Sequence, residues 1–362
     1  MKRLLALLIL IITLLMCLIS CNVSEHIESK QYEENGFRYS LRYDSFSIYA
    51  VIEYYNGTSN VVEIPSTFKG FPVKSIDFSA FIDCTHITEV TIPDSVTTIG
   101  INAFNGCTGL TSVVISEGVT TIGSSAFGGC ENLTSIVIPD SVTTIERHAF
   151  YGCNSLTSVR IPDGVTNIGL YAFSDCTALK YNEYEGCKYL GNESNPYYAL
   201  IDTVNDNQVS IKIHPDTKLI SGGAFENCSH LENITIPDGV TYISAGSFNG
   251  CAKLQYNVYE SGKYLGNESN PYYALIDTEV DMPLNFKIHP DTKIIVNISL
   301  AYRDNPKSII IPKSVTTINP HAFNTCMDLK DIYYMGSKKQ WKSFNLSNND
   351  IKDVEIHYYY VP

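Results

Sequence analysis

Five cysteines stand 23 residues apart, at Cys84, Cys107, Cys130, Cys153 and Cys176, and Cys228 to Cys251 repeats the interval. A fixed period constrains the fold more than any local propensity, because the chain must make the same turn again and again. Around each cysteine the same residues return. Three positions before it stand Phe81, Phe104, Phe127, Phe150, Phe173, Phe225, Phe248 and, ahead of Cys326, Phe323. Three positions after it stand Ile87, Leu110, Leu133, Leu156, Leu179, Leu231, Leu254 and Leu329. One unit reads C-x-x-L-x-x-V-x-I-P-x-x-V-x-x-I-x-x-x-A-F-x-x. In Leu110 to Ile115 the alternation sends Val113 and Ile115 inward and Ser112 and Val114 outward. No single coil closes its own core, so neighbours stack and bury a column of equivalent side chains.

The period assigns the cysteines. Stacked counterparts lie about 5 Å apart along a strand ladder, too far for the Cβ separation of about 3.8 Å that a disulfide prefers. A metal site needs converging ligands such as C-x-x-C pairs, and a 23-residue ladder offers none. The ladder thiols are therefore read as core, packing as small side chains whose S–H meets a backbone carbonyl. Cys187 lies off the ladder and is left unassigned. Neither a metal nor a cofactor is expected. The L-x-x-V-x-I segment is the strand signature of leucine-rich repeats, and 23 falls within their period. The expected fold is a β-rich solenoid, a leucine-rich-repeat array of about eleven 23-residue coils over residues 76–330, with caps at 36–75 and 331–362.

The rhythm changes twice. Cys176 to Cys228 is 52 residues and Cys251 to Cys326 is 75, each a whole number of periods plus six. Both excesses fall in one duplicated cassette, at 181–218 and 256–293, where KYLGNESNPYYALIDT occurs twice. The cassettes are rich in tyrosine, including Tyr197, Tyr198, Tyr272 and Tyr273, and Asn195-Pro196 and Asn270-Pro271 predict turns that project a loop. Two readings stand: tyrosine knobs that bind a partner, or, favoured, rings that pack over an irregular coil with wet hydroxyls. In the first cap, Asn56-Gly57 is a hairpin-type signal.

The first twenty residues read as an address. Lys2 and Arg3 precede an apolar run from Leu4 to Ile19, the pattern of a secretory signal peptide. Leu18-Ile19-Ser20-Cys21 resembles a bacterial lipobox, which implies that Cys21 carries lipid and begins the mature chain. Residues 21–35 then form the lipidated Cys and a polar tether. An ordinary signal peptide or a permanent helical anchor are the alternatives. The expected localisation is the cell surface, lipid-anchored to a bacterial membrane, on the outer membrane or the extracellular face.

With the repeat laid out, residues 36–362 closely resemble the BspA-like leucine-rich-repeat proteins, including the closing Tyr-Tyr-x-Gly segment and Trp341. The resemblance implies a surface adhesin that binds extracellular matrix or other cell-surface protein or glycan partners. It carries over no binding residue. The outward strand positions supply candidates on a concave face: Thr91, Val114, Val137, Arg160, Thr235 and Ile310. A structural surface spacer without a specific ligand is the rival reading. A net charge of −13 argues against nucleic acid as a partner. No G-x-S-x-G or H-E-x-x-H occurs, so no enzyme is expected. His214-Pro215-Asp216 and His289-Pro290-Asp291 are read as repeat turns, and His148 and His321 as variable positions before Ala-Phe.

Overall fold

The computed structural model describes residues 31–44, 47–279, 283–296, 306–320, 322, 323, 326, 328–344, 346 and 351–362. The segment read as a signal peptide, Cys21, the tether as far as residue 30, and His321 lie outside these residues. The described chain is a β-solenoid of about 13 turns at ~23-residue spacing. It divides into two compact units: residues up to 142 with 148–158 and 173–179, and residues 143–147, 159–172 and 180–362.

In the first unit the strands Val61–Glu63, Glu89–Ile92, Ser112–Ile115 and Ser135–Ile136 run parallel, each one coil on from the last. Glu89–Ile92 and Ser112–Ile115 alternate exposed and buried residues, with Val90, Ile92, Val113 and Ile115 in the core. β-Branched residues suit such a half-buried pleat. Ile-Pro then ends the strand where the proline needs no ladder partner. Val96 and Val142 close the following turns by donating to the carbonyls of Pro93 and Pro139 at 3.1 Å each.

The Ala-Phe segment returns the chain and carries the aromatic column. Phe81, Phe104, Phe127, Phe150 and Phe173 are buried, and successive ring centroids are 4.7, 5.3, 5.5 and 5.2 Å apart with planes within 20°. Beside them each thiol from Cys107 to Cys176 donates to the carbonyl of the phenylalanine one coil back. Cys107 reaches Phe81 at 3.0 Å, Cys130 reaches Phe104 at 3.2 Å, and Cys153 reaches Phe127 at 3.2 Å. This is the packing role read from the period. The position just before each thiol from Cys84 to Cys176 is left-handed, with φ of 71° at Gly106, 68° at Gly129 and 69° at Gly152. Asp83 and Asp175 take the same place. The Gly-or-Asp preference there follows from the cost of about 1–2 kcal/mol that other residues meet in that region.

The first coil is closed by antiparallel strands Gln31–Glu34, Phe37–Tyr43 and Ile48–Tyr55. Tyr39 stacks on Phe68 at 4.1 Å and Tyr55 on Phe81 at 5.1 Å, so the cap prolongs the aromatic column. Asn56-Gly57 does not join paired strands. Ile48–Tyr55 pairs antiparallel with the strand before it and parallel with Phe71–Ile76, so the tight turns fall at Asn35-Gly36 and Lys69-Gly70 instead.

In the second unit the cassettes are not projecting loops. Asn182–Tyr184, Cys187–Leu190 and Ala199–Thr203 form an antiparallel meander, and the last of these runs parallel to Leu219–Ile220. Asn257–Tyr259, Gly262–Leu265 and Ala274–Thr278 repeat the arrangement beside Ile294–Ile295. The six extra residues thus build a hairpin that is absorbed into the sheet. A four-stranded parallel sheet ends the unit, in the order Asn285–Lys287, Ser308–Ile311, Asp331–Tyr334, Glu355–Tyr358. The helix Lys338–Ser343, held by a capping box between Ser337 and Gln340, lays Trp341 against Tyr334 at 5.5 Å.

Burial pushes the Cys107 and Cys251 thiols up to about 12 from an ordinary 9.0. A raised acid pKa means that the folded state holds its proton longer than the unfolded one. The contribution is therefore complete below about pH 9 and is lost as pH climbs from there toward 12. Urea midpoints should fall above pH 9, and iodoacetamide should label Cys107 and Cys130 only after unfolding; labelling of either in the native protein would contradict this packing.

Candidate binding surface

Two outward rows cross the parallel strands of the first unit. Val61, Glu89, Ser112 and Ser135 are in register, and so are Glu63, Thr91 and Val114. All are exposed. Val137 follows two residues after Ser135 on the same side and is 69% exposed, with Val114 at 54%. An exposed valine is common singly; here the two sit at equivalent positions of successive coils, with Thr91 one coil before Val114, Glu63 two coils before it, and Arg160 at the equivalent sequence position 23 residues after Val137. Val61 and Glu63 extend the rows one coil earlier than the cysteine ruler reaches. Their signal was Val61-Val62-Glu63-Ile64-Pro65, which has the strand and proline of the repeat without its Phe and Cys.

The second unit has no such uniform row. Arg160 is exposed just beyond the strand Ser158–Val159. Thr235 is half-buried and in register with Lys212. Ile310 is half-buried between Lys287 and Tyr333. The six candidate residues therefore split into the apolar, hydroxylated group Thr91, Val114 and Val137, the cation Arg160, and Thr235 and Ile310 with basic or aromatic neighbours.

The cassette tyrosines divide as well. Tyr198 and Tyr273 are buried, and their hydroxyls sit 2.8 and 2.9 Å from the carbonyls of Asp163 and Val165, and 2.7 Å from those of Asp238 and Val240. They tie each cassette to the turn one repeat earlier and offer nothing to a partner. Tyr197 and Tyr272 are half-buried, each ring lying flat on a histidine: His214 at 3.9 Å and His289 at 3.8 Å. Tyr184 and Tyr259 meet the same histidines edge-on at 4.7 and 4.9 Å. One face of each tyrosine ring is thereby spent inside the cluster.

The His-Pro-Asp segments are turns. Thr217 donates to the His214 carbonyl at 3.0 Å, and the Asp216 amide donates to His214 Nδ1 at 3.2 Å, which leaves the proton on Nε2. Burial lowers the His289 pKa, with Asp291 opposing weakly, so that ring resists protonation. Asp202 pairs with Lys188 at 3.0 Å. Cys187 is fully buried beside Tyr189, and burial pushes its thiol up to about 12, so it too is core. No helix among the described residues is long and apolar enough to cross a membrane.

Residues 45–195, 203–273 and 284–360 match the BspA type leucine-rich repeat region in six copies. The chain belongs to the BspA-type leucine-rich-repeat family. Among solved structures it is similar to the leucine-rich-repeat protein of T. pallidum, with 30% identity and a TM-score of 0.43 over 62% of this chain and 91% of that one. It is also similar to a leucine rich cell surface protein of Faecalibacterium prausnitzii, with 28% identity and a TM-score of 0.31 over 87% and 97%. The pneumococcal vaccine antigen PcpA shares 16% identity, with a TM-score of 0.32 over 92% and 99%. No curated protein matches the chain. Within this BspA-type chain both copies of the cassette keep the same Tyr–His stack and the same buried phenol.

Tyr198→Phe and Tyr273→Phe should each cost about 1–2 kcal/mol, because two carbonyls lose their phenol donor. Calorimetry checks this: the midpoint should drop for each variant, whereas Tyr197→Phe should leave it where it was.

Proposed function

We propose that the protein is a cell-surface binding protein that docks an extended protein or glycan chain along the outward strand rows of its first unit. The observation that supports this is the run Thr91, Val114, Val137, exposed and uncharged in a chain of net charge −13. An acidic protein that keeps carboxylates out of consecutive outward positions retains a surface from which water is easily displaced. Equivalent positions recur at the strand spacing of about 4.8 Å. A partner with its own short repeat meets the same contact several times, and weak contacts made together sum to useful avidity. Attachment through a lipidated Cys21 would hold this face outside the membrane, because buried acyl chains contribute about 0.8 kcal/mol per CH₂.

The test uses the purified chain without its first 20 residues, over immobilised fibronectin, fibrinogen and a glycan array. Saturable binding to one of them is expected. Val114→Glu and Val137→Glu should each weaken it about tenfold or more, since a carboxylate must then be buried unpaired. Their thermal midpoints should stay close to that of the parent, because exposed substitutions shift stability by only about 0.5 kcal/mol. In the producing cell Cys21→Ala should move the full-length protein from membranes to the soluble fraction. Absence of saturable binding across the whole panel would favour a spacer without a ligand.

A further inference from the structure

The last two strands bring together side chains that lie a coil apart in sequence. Asp331–Tyr334 and Glu355–Tyr358 pair in parallel, with Asp331 opposite Glu355 and Tyr333 opposite His357. Residues two apart on a strand share a face, so all four side chains stand on one side of the sheet. His357 Nε2 lies 2.8 Å from Asp331 Oδ1. One ligand atom from each of Asp331, Glu355 and His357 lies within 4.8 Å of the other two. The imidazole is held in place: it stacks on Tyr333 at 4.5 Å with planes 13° apart, and Tyr360 backs Tyr333 at 4.8 Å. Glu355 makes no ion pair among the described residues. Two carboxylates thus face a single imidazole, and the triad has charge left to attract a cation.

We propose that Asp331, Glu355 and His357 form a binding site for a divalent transition-metal ion of the zinc type. Bonds of about 2.0–2.2 Å in a tetrahedron put donor atoms about 3.2–3.6 Å apart. The exposed Glu355 side chain closes the remaining distance by rotation about its own bonds, with no movement of the backbone. The donor set selects the class. Imidazole with carboxylates suits zinc and its neighbours, whereas calcium takes oxygen donors alone and magnesium keeps its waters. Binding would exchange the Asp331–His357 hydrogen bond for two metal bonds and fasten the last strand to the one before it. The stacked Tyr333 ring orients the imidazole as outer-sphere groups do in built metal sites. The site is independent of the docking rows, so either proposal can fail alone.

The experiment titrates Co²⁺ and then Zn²⁺ into the full chain after chelator treatment. One equivalent of Co²⁺ should bind with visible d–d absorption that Zn²⁺ abolishes. His357→Gln and Glu355→Gln should each weaken Zn²⁺ binding about tenfold or more, while circular dichroism and the metal-free thermal midpoint stay at parent values. Asp331→Asn, which keeps a polar partner for His357, should weaken it likewise. Failure to bind one equivalent, or equal affinity in His357→Gln, would overturn the proposal; the latter would place the ion elsewhere, such as at His214 or His289.

Discussion

Everything in this molecule depends on each coil finding its counterpart one period away. The contact is made of three parts that recur together. A phenylalanine ring lies on the ring before it, a thiol donates to that earlier residue's carbonyl, and the backbone of the Ala-Phe segment bonds across, as Phe104 does to Ala126 at 2.7 Å. The stacked rings add about 0.5–1.5 kcal/mol per pair beyond their burial, and the backbone bonds fix the period, because slipping by one residue would turn every buried side chain outward. Cysteine suits its place because the space beside the ring admits a small side chain, and the S–H satisfies a carbonyl that water cannot reach.

Much of this was legible in the sequence. The period, the inward Val and Ile and the buried Phe and Cys are one-dimensional patterns with a single three-dimensional solution. The left-handed position before the thiols from Cys84 to Cys176 was visible as a Gly-or-Asp preference, though its backbone meaning was not. Two threonine ladders run beside it: Thr97 and Thr120 in one, and Thr111 and Thr134 in the other, each donate a side-chain hydroxyl to the carbonyl one coil back, at 3.1, 3.2, 3.0 and 3.3 Å. Threonine is so common in strands that its repetition alone does not signal a hydrogen-bond ladder. Asn56-Gly57 misled because a dipeptide that favours a tight turn says nothing about which strands will pair across it.

The candidate surfaces were legible in proportion to their regularity. Val114 and Val137 follow from alternation alone. Ile310 and Thr235 do not resemble them, because Lys287, Tyr333 and Lys212 become neighbours only through strand pairing. The cassette tyrosines looked alike in sequence and proved different, since the turn ahead of the strand Ala199–Thr203 sends neighbouring side chains different ways: Tyr197 lies on a histidine and Tyr198 points inward to two carbonyls. The Asp331, Glu355 and His357 triad was invisible for the same reason, as its members are unremarkable until the final coil sets them side by side.

The central claim is that stability is a sum of coil-to-coil contacts, and Phe127 sits at the middle of one column. Phe127→Ala should cost about 3–5 kcal/mol. Native-state hydrogen exchange read residue by residue decides how that loss spreads. The account predicts that amide protection falls most in the coils bearing Phe104 and Phe150, and least in the capping strands Phe37–Tyr43 and Ile48–Tyr55. An equal loss across all of these segments would contradict it.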